Sequence, residues 1–344
     1  MHYHSFIIGG GIAGTVLALT MRDRGYSVKI LDHRSGNSCS NVAAGLMNPI
    51  TGKRQTLSWR SEDFFPKAID FYRRYAPENG QNAFRELPIH RILSSVAEQN
   101  RWSTADHPDR FKLFIEDQAL SSLPSDRYHN ALGTLVVKSG GKLDMKAFLK
   151  HAHQLLLNDL AYEEVDQAID ITPNSMYAYQ NDQADHLIHA EGWNHADLWN
   201  FLPFTPMKGE ILTLQSDHLD TDKIVIGSCF IAPETDQTFR VGATYDWRSI
   251  NTTKTGEARE ALIQRFQKMT DVPFEVIDHQ VGIRPAVSDR RPLIGKHPNH
   301  NNLFLFNGMG SKGASMTPLL AEWFIDFMEG QALPDEVNLN RFIS

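Results

Sequence analysis

The chain opens with a short apolar run at residues 5–8 that ends in glycine, as a buried parallel strand does. Residues 12–24 carry apolar side chains at helical spacing with Gly25 as a stop, and residues 27–31 return as a strand. The turn of this strand, helix and strand unit is GGGIAG, which puts Gly9, Gly11 and Gly14 in the register G-x-G-x-x-G. That spacing has a mechanism. Gly9 permits the tight turn, Gly11 lets a pyrophosphate approach the backbone, and Gly14 lets the helix pack on the strand. Ile12 and Ala13 open the helix, whose N-terminus faces the phosphates. Asp32 closes the second strand, where a carboxylate accepts hydrogen bonds from a ribose diol, and His33 and Arg34 follow it at the same edge. The unit predicts dinucleotide binding.

A free-standing NAD domain would continue with alternating strands and helices, and this chain does not. Residues 40–54, SNVAAGLMNPITGKR, are rich in small residues that allow a backbone to approach a planar ligand closely rather than pack as a helix. Residues 64–75 read as an amphipathic helix, and an irregular region with short strands and the turn LPSD follows. Residues 144–157 are helical, and residues 175–180 with 186–190 form a hairpin ending in AEGW. From Met207 the pattern turns to strands, at 209–214, 223–232 and 239–245, which predict an antiparallel sheet. A helix at 256–269 and a strand at 276–281 lead into GIRP. A final strand at 303–306, the turn NGMGSKG and a helix at 315–328 make a second candidate cradle. No internal repeat or low-complexity tract interrupts the pattern.

Composition narrows the class. A chain of 344 residues is long enough for about two domains. The net charge of −7 disfavours a passive nucleic-acid binder and an anionic membrane surface. The apolar run at residues 6–21 lacks a preceding positive residue, contains three consecutive glycines and falls short of the roughly 20 residues of a membrane span, so secretion and membrane insertion are not expected. Cys39 and Cys229 are too few and too far apart for a disulfide framework or a CxxC pair, which fits a reducing cytoplasm. His2, His4, His151 and His153 lack companion ligands at metal-site spacing, so no metal is expected and the histidines read as scattered surface residues. Ser311 does not sit in a G-x-S-x-G elbow.

The motifs together resemble the FAD-dependent D-amino acid oxidase superfamily, particularly its glycine oxidase and sarcosine oxidase-like members. GGGIAG with Asp32, NVAAGLMNP, AEGW, GIRPAVSDRRPLIG and NGMGSKGASMTP occur in that family's order over nearly the full chain. The resemblance implies an α/β (α+β) fold: a Rossmann-like FAD-binding domain from residues 1–73, 135–198 and 282–344, and a second, mostly antiparallel β substrate domain from 74–134 and 199–281. It implies non-covalent FAD contacts at Ala43, Ala44, Gly45 and Leu46, at Gly192, and at Gly308, Met309, Gly310, Ser311, Lys312 and Gly313. Val165 resembles the backbone position that meets adenine. Arg284 corresponds to the arginine of the GxRP motif, which pairs with the substrate carboxylate and borders the cofactor; a guanidinium fork suits that task. The alternative is a domain-bridging salt bridge. Ser311 and Lys312 are further candidates for the catalytic centre.

The implied activity is oxidation of the C–N bond of an amino acid or N-substituted amino acid by hydride transfer to flavin, with the imine hydrolysed and the flavin reoxidised by dioxygen or another acceptor, in a cytoplasmic enzyme whose partner is a small amino or imino acid substrate. Glycine oxidase-like proteins carry a second arginine in the C-terminal glycine turn, where this chain has Gly310-Ser311-Lys312. The GSKG turn also resembles the flavin domain of the bifunctional enzyme that trims a carboxymethylaminomethyl group on tRNA wobble uridine. For that substrate Lys53, Arg54, Arg60, Arg290, Arg291 and Lys296 would form a basic rim. A third reading is a flavin-bound electron-transfer or assembly subunit without its own substrate. Tyr245, Trp247 and Lys208 lie at strand ends of the substrate sheet and are assigned to core or rim packing.

Overall fold

The computed structural model describes residues 1–33, 38–52, 55–75, 83–103, 109–165, 176–194 and 196–343, and of residues 117–119 only the backbone. Arg34, Lys53 and Arg54 therefore lie outside the described residues.

Strands His2–Ile8 and Val28–His33 pair in parallel around helix Ile12–Asp23, as the opening pattern predicts. They sit in a sheet ordered Tyr162–Val165, Val28–His33, His2–Ile8, Asp182–His189, Leu303–Asn307, Leu293–Lys296, parallel except at the last pair. Tyr177–Tyr179 joins Asp182–His189 as the predicted antiparallel hairpin. Strands enclosed on both faces need near-continuous apolar runs, and Phe6, Ile7, Ile30, Ile188, Leu305 and Phe306 are fully buried. Helices Ile12–Asp23 and Ser61–Arg74 both pack on helix Gly313–Met328. Asp144 caps helix Met145–Asn158 by accepting from the Ala147 amide at 3.0 Å.

The second sheet runs Glu275–Arg284, Met207–Gln215, Thr238–Gly242, Phe230–Pro233, Ile224–Ile226, Ile89–Ile92, Thr134–Val137, Ile115–Ser121. Every pairing is antiparallel except Ile224–Ile226 with Ile89–Ile92. This is the Rossmann-like unit plus mostly antiparallel β unit expected from sequence.

Two local readings are corrected. Residues 223–232 are not one strand: the chain reverses between Ile226 and Phe230, and the Gly227 amide donates to the Cys229 carbonyl at 2.8 Å. Residues 40–54 are not wholly free of helix, because Cys39–Val42 forms one turn with Ser38 as its cap, accepting from the Asn41 amide at 3.3 Å. Arg240, buried in the second sheet, donates to the Val42 carbonyl and to Gln280 Oε1 at 2.7 Å, and so fastens that turn to the sheet.

Candidate functional site

The carboxyl ends of the parallel strands meet one face of the antiparallel sheet around a cavity of about 540 Å³. At its nucleotide end the first glycine turn is shaped by close approaches. A Cβ on Gly9, whose φ is +104°, would stand 2.8 Å from the Ala190 carbonyl oxygen, and one on Gly14 would overlap the Gly9 carbonyl. The Gly10 amide donates to Asp32 Oδ1 at 2.8 Å and the Tyr162 hydroxyl to Oδ2 at 2.9 Å, which orients the carboxylate at the cavity edge. No side chain of Gly11 can cap helix Ile12–Asp23, and Ser40 Oγ accepts from the Ile12 amide at 3.0 Å instead. His153 is not a scattered surface histidine: its Nε2 lies 3.0 Å from the Gly10 carbonyl oxygen and its ring stacks on Tyr162 at 4.2 Å. Gly10, Ser40, Tyr162 and His153 were not among the candidates, and only tertiary contact reveals them.

The opposite wall is the antiparallel sheet. Register places Arg91, Ile226, Phe230, Gly242 and Ile211 in one row across five strands, all facing the cavity. Ala44, Ile211 and Ala243, with Phe230 against them, form a small apolar cluster there. Arg284 sits at the end of the neighbouring strand, opposite Met207, and is 8% exposed. Its guanidinium lies across Gly209, where a Cβ would come inside 3.0 Å of Nη1, Nη2 and Cζ. Nη1 donates to the carbonyls of Lys208 at 3.4 Å and Thr244 at 3.3 Å, and the Tyr245 ring faces the group at 4.8 Å. Among the described residues no carboxylate lies within 4.0 Å of Arg284, so it is not the domain-bridging salt bridge weighed as its alternative. Lys208, by contrast, is a core residue that pairs with Glu210 at 3.4 Å and donates to the Thr253 carbonyl at 2.6 Å.

The second glycine turn closes the cavity. Met309, Gly310, Ser311, Lys312 and Gly313 line it. Helix Gly313–Met328 begins here, and the Lys312 side chain gives its N-terminus no cap. Lys312 Nζ reaches Ser58 Oγ at 3.2 Å, and burial, then the nearby Arg291 and Arg290, push its ammonium below the usual lysine value. Arg291 covers the Trp59 ring at 4.6 Å. Of the expected basic rim, Arg60 is neutralised by Asp63 at 2.7 Å, and Lys296 pairs with Phe304, back from the cavity end of its strand. Tyr245 and Trp247 form a stacked pair with centroids 6.3 Å apart, and at 57% and 60% exposure they are rim residues, Tyr245 also bordering the cavity.

The structure thus brings Gly9, Gly11, Ile12, Ala13, Asp32 and His33 to the same cavity as Ala43, Ala44, Gly45, Leu46, Gly192 and Arg284. It does not bring Gly14, Val165 or Gly308 to the cavity surface. Gly14 packs under the turn, the Val165 side chain is buried in the core beside His33, and Gly308 makes room for Val287 and Leu293. Arg91 and Arg265 line the cavity and were missed, because nothing in their local sequence separates them from ordinary strand and helix arginines. Cys229 also borders it, but burial pushes its thiol up to about 12, so it stays protonated.

Two facing glycine turns, each opening a helix, with an acidic residue at the first and an apolar wall ending in a buried arginine, suit a dinucleotide whose planar ring lies between the sheets. FAD is a dinucleotide of that kind. Residues 5–327 match the family described as FAD dependent oxidoreductase, and the chain belongs to that family. Its cofactor is FAD and it is an enzyme of that class. The chain is 22% identical to glycine oxidase of Bacillus licheniformis over 97% of its own length and 95% of that protein's. It is 23% identical to the tRNA 5-methylaminomethyl-2-thiouridine biosynthesis bifunctional protein of Legionella pneumophila over 93% of its length, and spans about half of that relative, 53%. The glycine oxidase structure from Geobacillus kaustophilus superposes with a TM-score of 0.79 at 20% identity, covering 100% of both chains. Among the described residues no helix is long and apolar enough to cross a membrane.

Proposed function

We propose that the protein oxidises the carbon–nitrogen bond of an amino acid or N-substituted amino acid, with Arg284 holding the substrate carboxylate. One observation carries this reading: a buried guanidinium, without a carboxylate of its own among the described residues, opens onto the cavity beside the second glycine turn. A buried cation is costly unless an anion pairs with it, so the counterion is expected from the substrate. When bound, FAD supplies the two-electron acceptor for the carbon beside the nitrogen, and water hydrolyses the resulting imine. Arg284 orients the carboxylate, Tyr245 covers the guanidinium, and Ala44, Ile211 and Ala243 exclude water around the reacting carbon. A protein base is not required if the amine binds neutral. Lys312 and Ser311 present a polar, cationic edge to the cofactor.

The test is anaerobic flavin bleaching against a panel of amino acids and N-alkyl amino acids. Losing one side of a buried charge pair costs about 2–5 kcal/mol, so Arg284→Met should lower reduction at limiting substrate by roughly thirty- to several-thousand-fold with FAD content intact. Arg284→Lys should recover part of the loss, since an ammonium lacks the planar fork. Equal reduction by an amine without a carboxylate would refute the assignment.

A second reading keeps the chemistry and changes the carrier: a carboxymethylaminomethyl group on a tRNA wobble uridine. Its support is the exposed, stacked Tyr245 and Trp247 at the cavity rim, a platform on which an unpaired base stacks, together with the matching relative's name. Reduction of the flavin by tRNA bearing that group, falling steeply with salt, would favour it. Reduction by free amino acids alone would exclude it.

A further inference from the structure

The substrate half of the cavity holds more positive charge than one carboxylate needs. Asp32 and Glu191, its acidic lining residues, lie at the nucleotide end, beside the first glycine turn. At the sheet wall the charged lining residues are Arg91, Arg265 and Arg284. Arg91 donates to the Gly52 carbonyl at 2.7 Å. Arg265, from helix Gly256–Gln267, reaches across to the sheet and makes a long contact, Nη1 to the Ala243 carbonyl oxygen at 3.4 Å. Among the described residues it has no carboxylate within 4.0 Å. A lysine or arginine at a helix C-terminus serves that helix's own carbonyls, but here the fork is turned to the cavity wall instead.

The position of Arg265 relative to Arg284 is set by the backbone. The two guanidinium groups contact the carbonyls of consecutive residues, Ala243 and Thr244. Consecutive Cα atoms are about 3.8 Å apart, so the contacting nitrogens lie within roughly 12 Å of each other. With both carboxylates lying between the two groups, charge-assisted hydrogen bonds of about 2.8 Å at each end leave about 6 Å or less between them. A bridge of two to four carbons spans that gap. The adjoining cavity wall includes Ile211, Gly242, Ala243 and Phe230, which suits a methylene bridge and offers it no competing acid.

We infer that Arg265 forms a second anion subsite and that the substrate is a dicarboxylic amine, one carboxylate on Arg284 and the other on Arg265. This rests on the reading of Arg284 given above. It separates the protein from an oxidase of simple neutral-side-chain amino acids, for which a second cation in the pocket would be an unpaired charge.

The probes are glutarate, a dianion of the right span, and butyrate, its monoanionic counterpart of similar length, titrated calorimetrically into FAD-loaded protein at fixed ionic strength. Glutarate should bind at least ten-fold more tightly than butyrate. In Arg265→Met that ratio should fall below two-fold with butyrate affinity and FAD content unchanged, and Arg265→Lys should keep at least a three-fold preference. Arg284→Met should weaken both acids. In turnover, N-(2-carboxyethyl)glycine should exceed N-propylglycine in kcat/KM, and Arg265→Met should erase the difference. Equal binding of the two acids by the unaltered protein, or a preference that survives Arg265→Met, overturns the second subsite and leaves Arg284 as proposed. Failure of both acids to bind, or binding indifferent to Arg284→Met, overturns the Arg284 reading itself and the inference with it.

Discussion

Gly209→Ala is the sharpest probe of the substrate wall because it changes the position of Arg284 without changing its charge. The new Cβ would come inside 3.0 Å of Nη1, Nη2 and Cζ, whereas carbon contacts settle near 3.5–4.0 Å, so the guanidinium must retreat by about 1 Å or more. It then loses the carbonyls of Lys208 and Thr244, already long at 3.4 and 3.3 Å, and its seat over Tyr245. The atoms that must move are the far end of a flexible side chain, and Gly209 has ordinary strand backbone, so folding and FAD content should be preserved. A displacement of about 1 Å from productive geometry costs on the order of a hundred-fold in rate, or about 2.7 kcal/mol. Anaerobic flavin reduction by the most reactive amine of the panel should therefore fall by roughly thirty- to three-hundred-fold at limiting substrate, close to the lower end expected for Arg284→Met. The double variant should be no worse than Arg284→Met alone, because both changes remove the same contact. Gly256→Ala, where a Cβ meets nothing within 4 Å, is the control. Wild-type reduction by Gly209→Ala, or additive losses in the double variant, would show that the placement of Arg284 across Gly209 has no part in catalysis.

Three further outcomes are expected. Asp32→Ala removes the acceptor of the Gly10 amide and Tyr162 hydroxyl, so FAD should bind about ten- to a hundred-fold more weakly with the spectrum of the remaining holoenzyme unchanged; a shifted spectrum at full affinity would move Asp32 from the ribose to the ring. Gly14→Ala drives a Cβ into the Gly9 carbonyl, a backbone atom that cannot swing aside, so the purified protein should be colourless; a normal flavin-to-protein absorbance ratio would count against the turn. Burial and the Arg291 and Arg290 charges depress Lys312, so the native FAD-free chain binds fewer protons than the unfolded chain between the depressed and the ordinary lysine value. Its stability should climb as pH rises through that interval, and Lys312→Met should raise the apo melting temperature at neutral pH and flatten the dependence; a lower melting temperature would contradict it.

Where an element depends on neighbours within one turn of chain, its signature is written locally. Gly9, Gly11, Gly14 and Asp32 could be placed in a strand, turn, helix and strand unit because steric exclusion at a tight turn and apolar periodicity act over about thirty residues. The same holds for the Asp144 cap and for helix Gly313–Met328 behind its glycine turn. The hairpin hidden in residues 223–232 was written there too, as Gly227-Ser228 inside an apolar run, but continuous hydrophobicity masked it. The wall of the cavity is different in kind. Arg91, Ile226, Phe230, Gly242 and Ile211 come into one row only through cross-strand register, and Arg265 faces the cavity only because its helix packs beside the sheet. Arg284 was legible by its GIRP motif, but that it lacks an acid partner among the described residues and lies on Gly209, seventy-five positions earlier in the chain, was not. Gly209 leaves space for atoms that are remote in sequence, and no local pattern can record a contact of that range. The amino-acid order determined the cradle for the dinucleotide; the pairing of distant strands decided which charges the substrate meets.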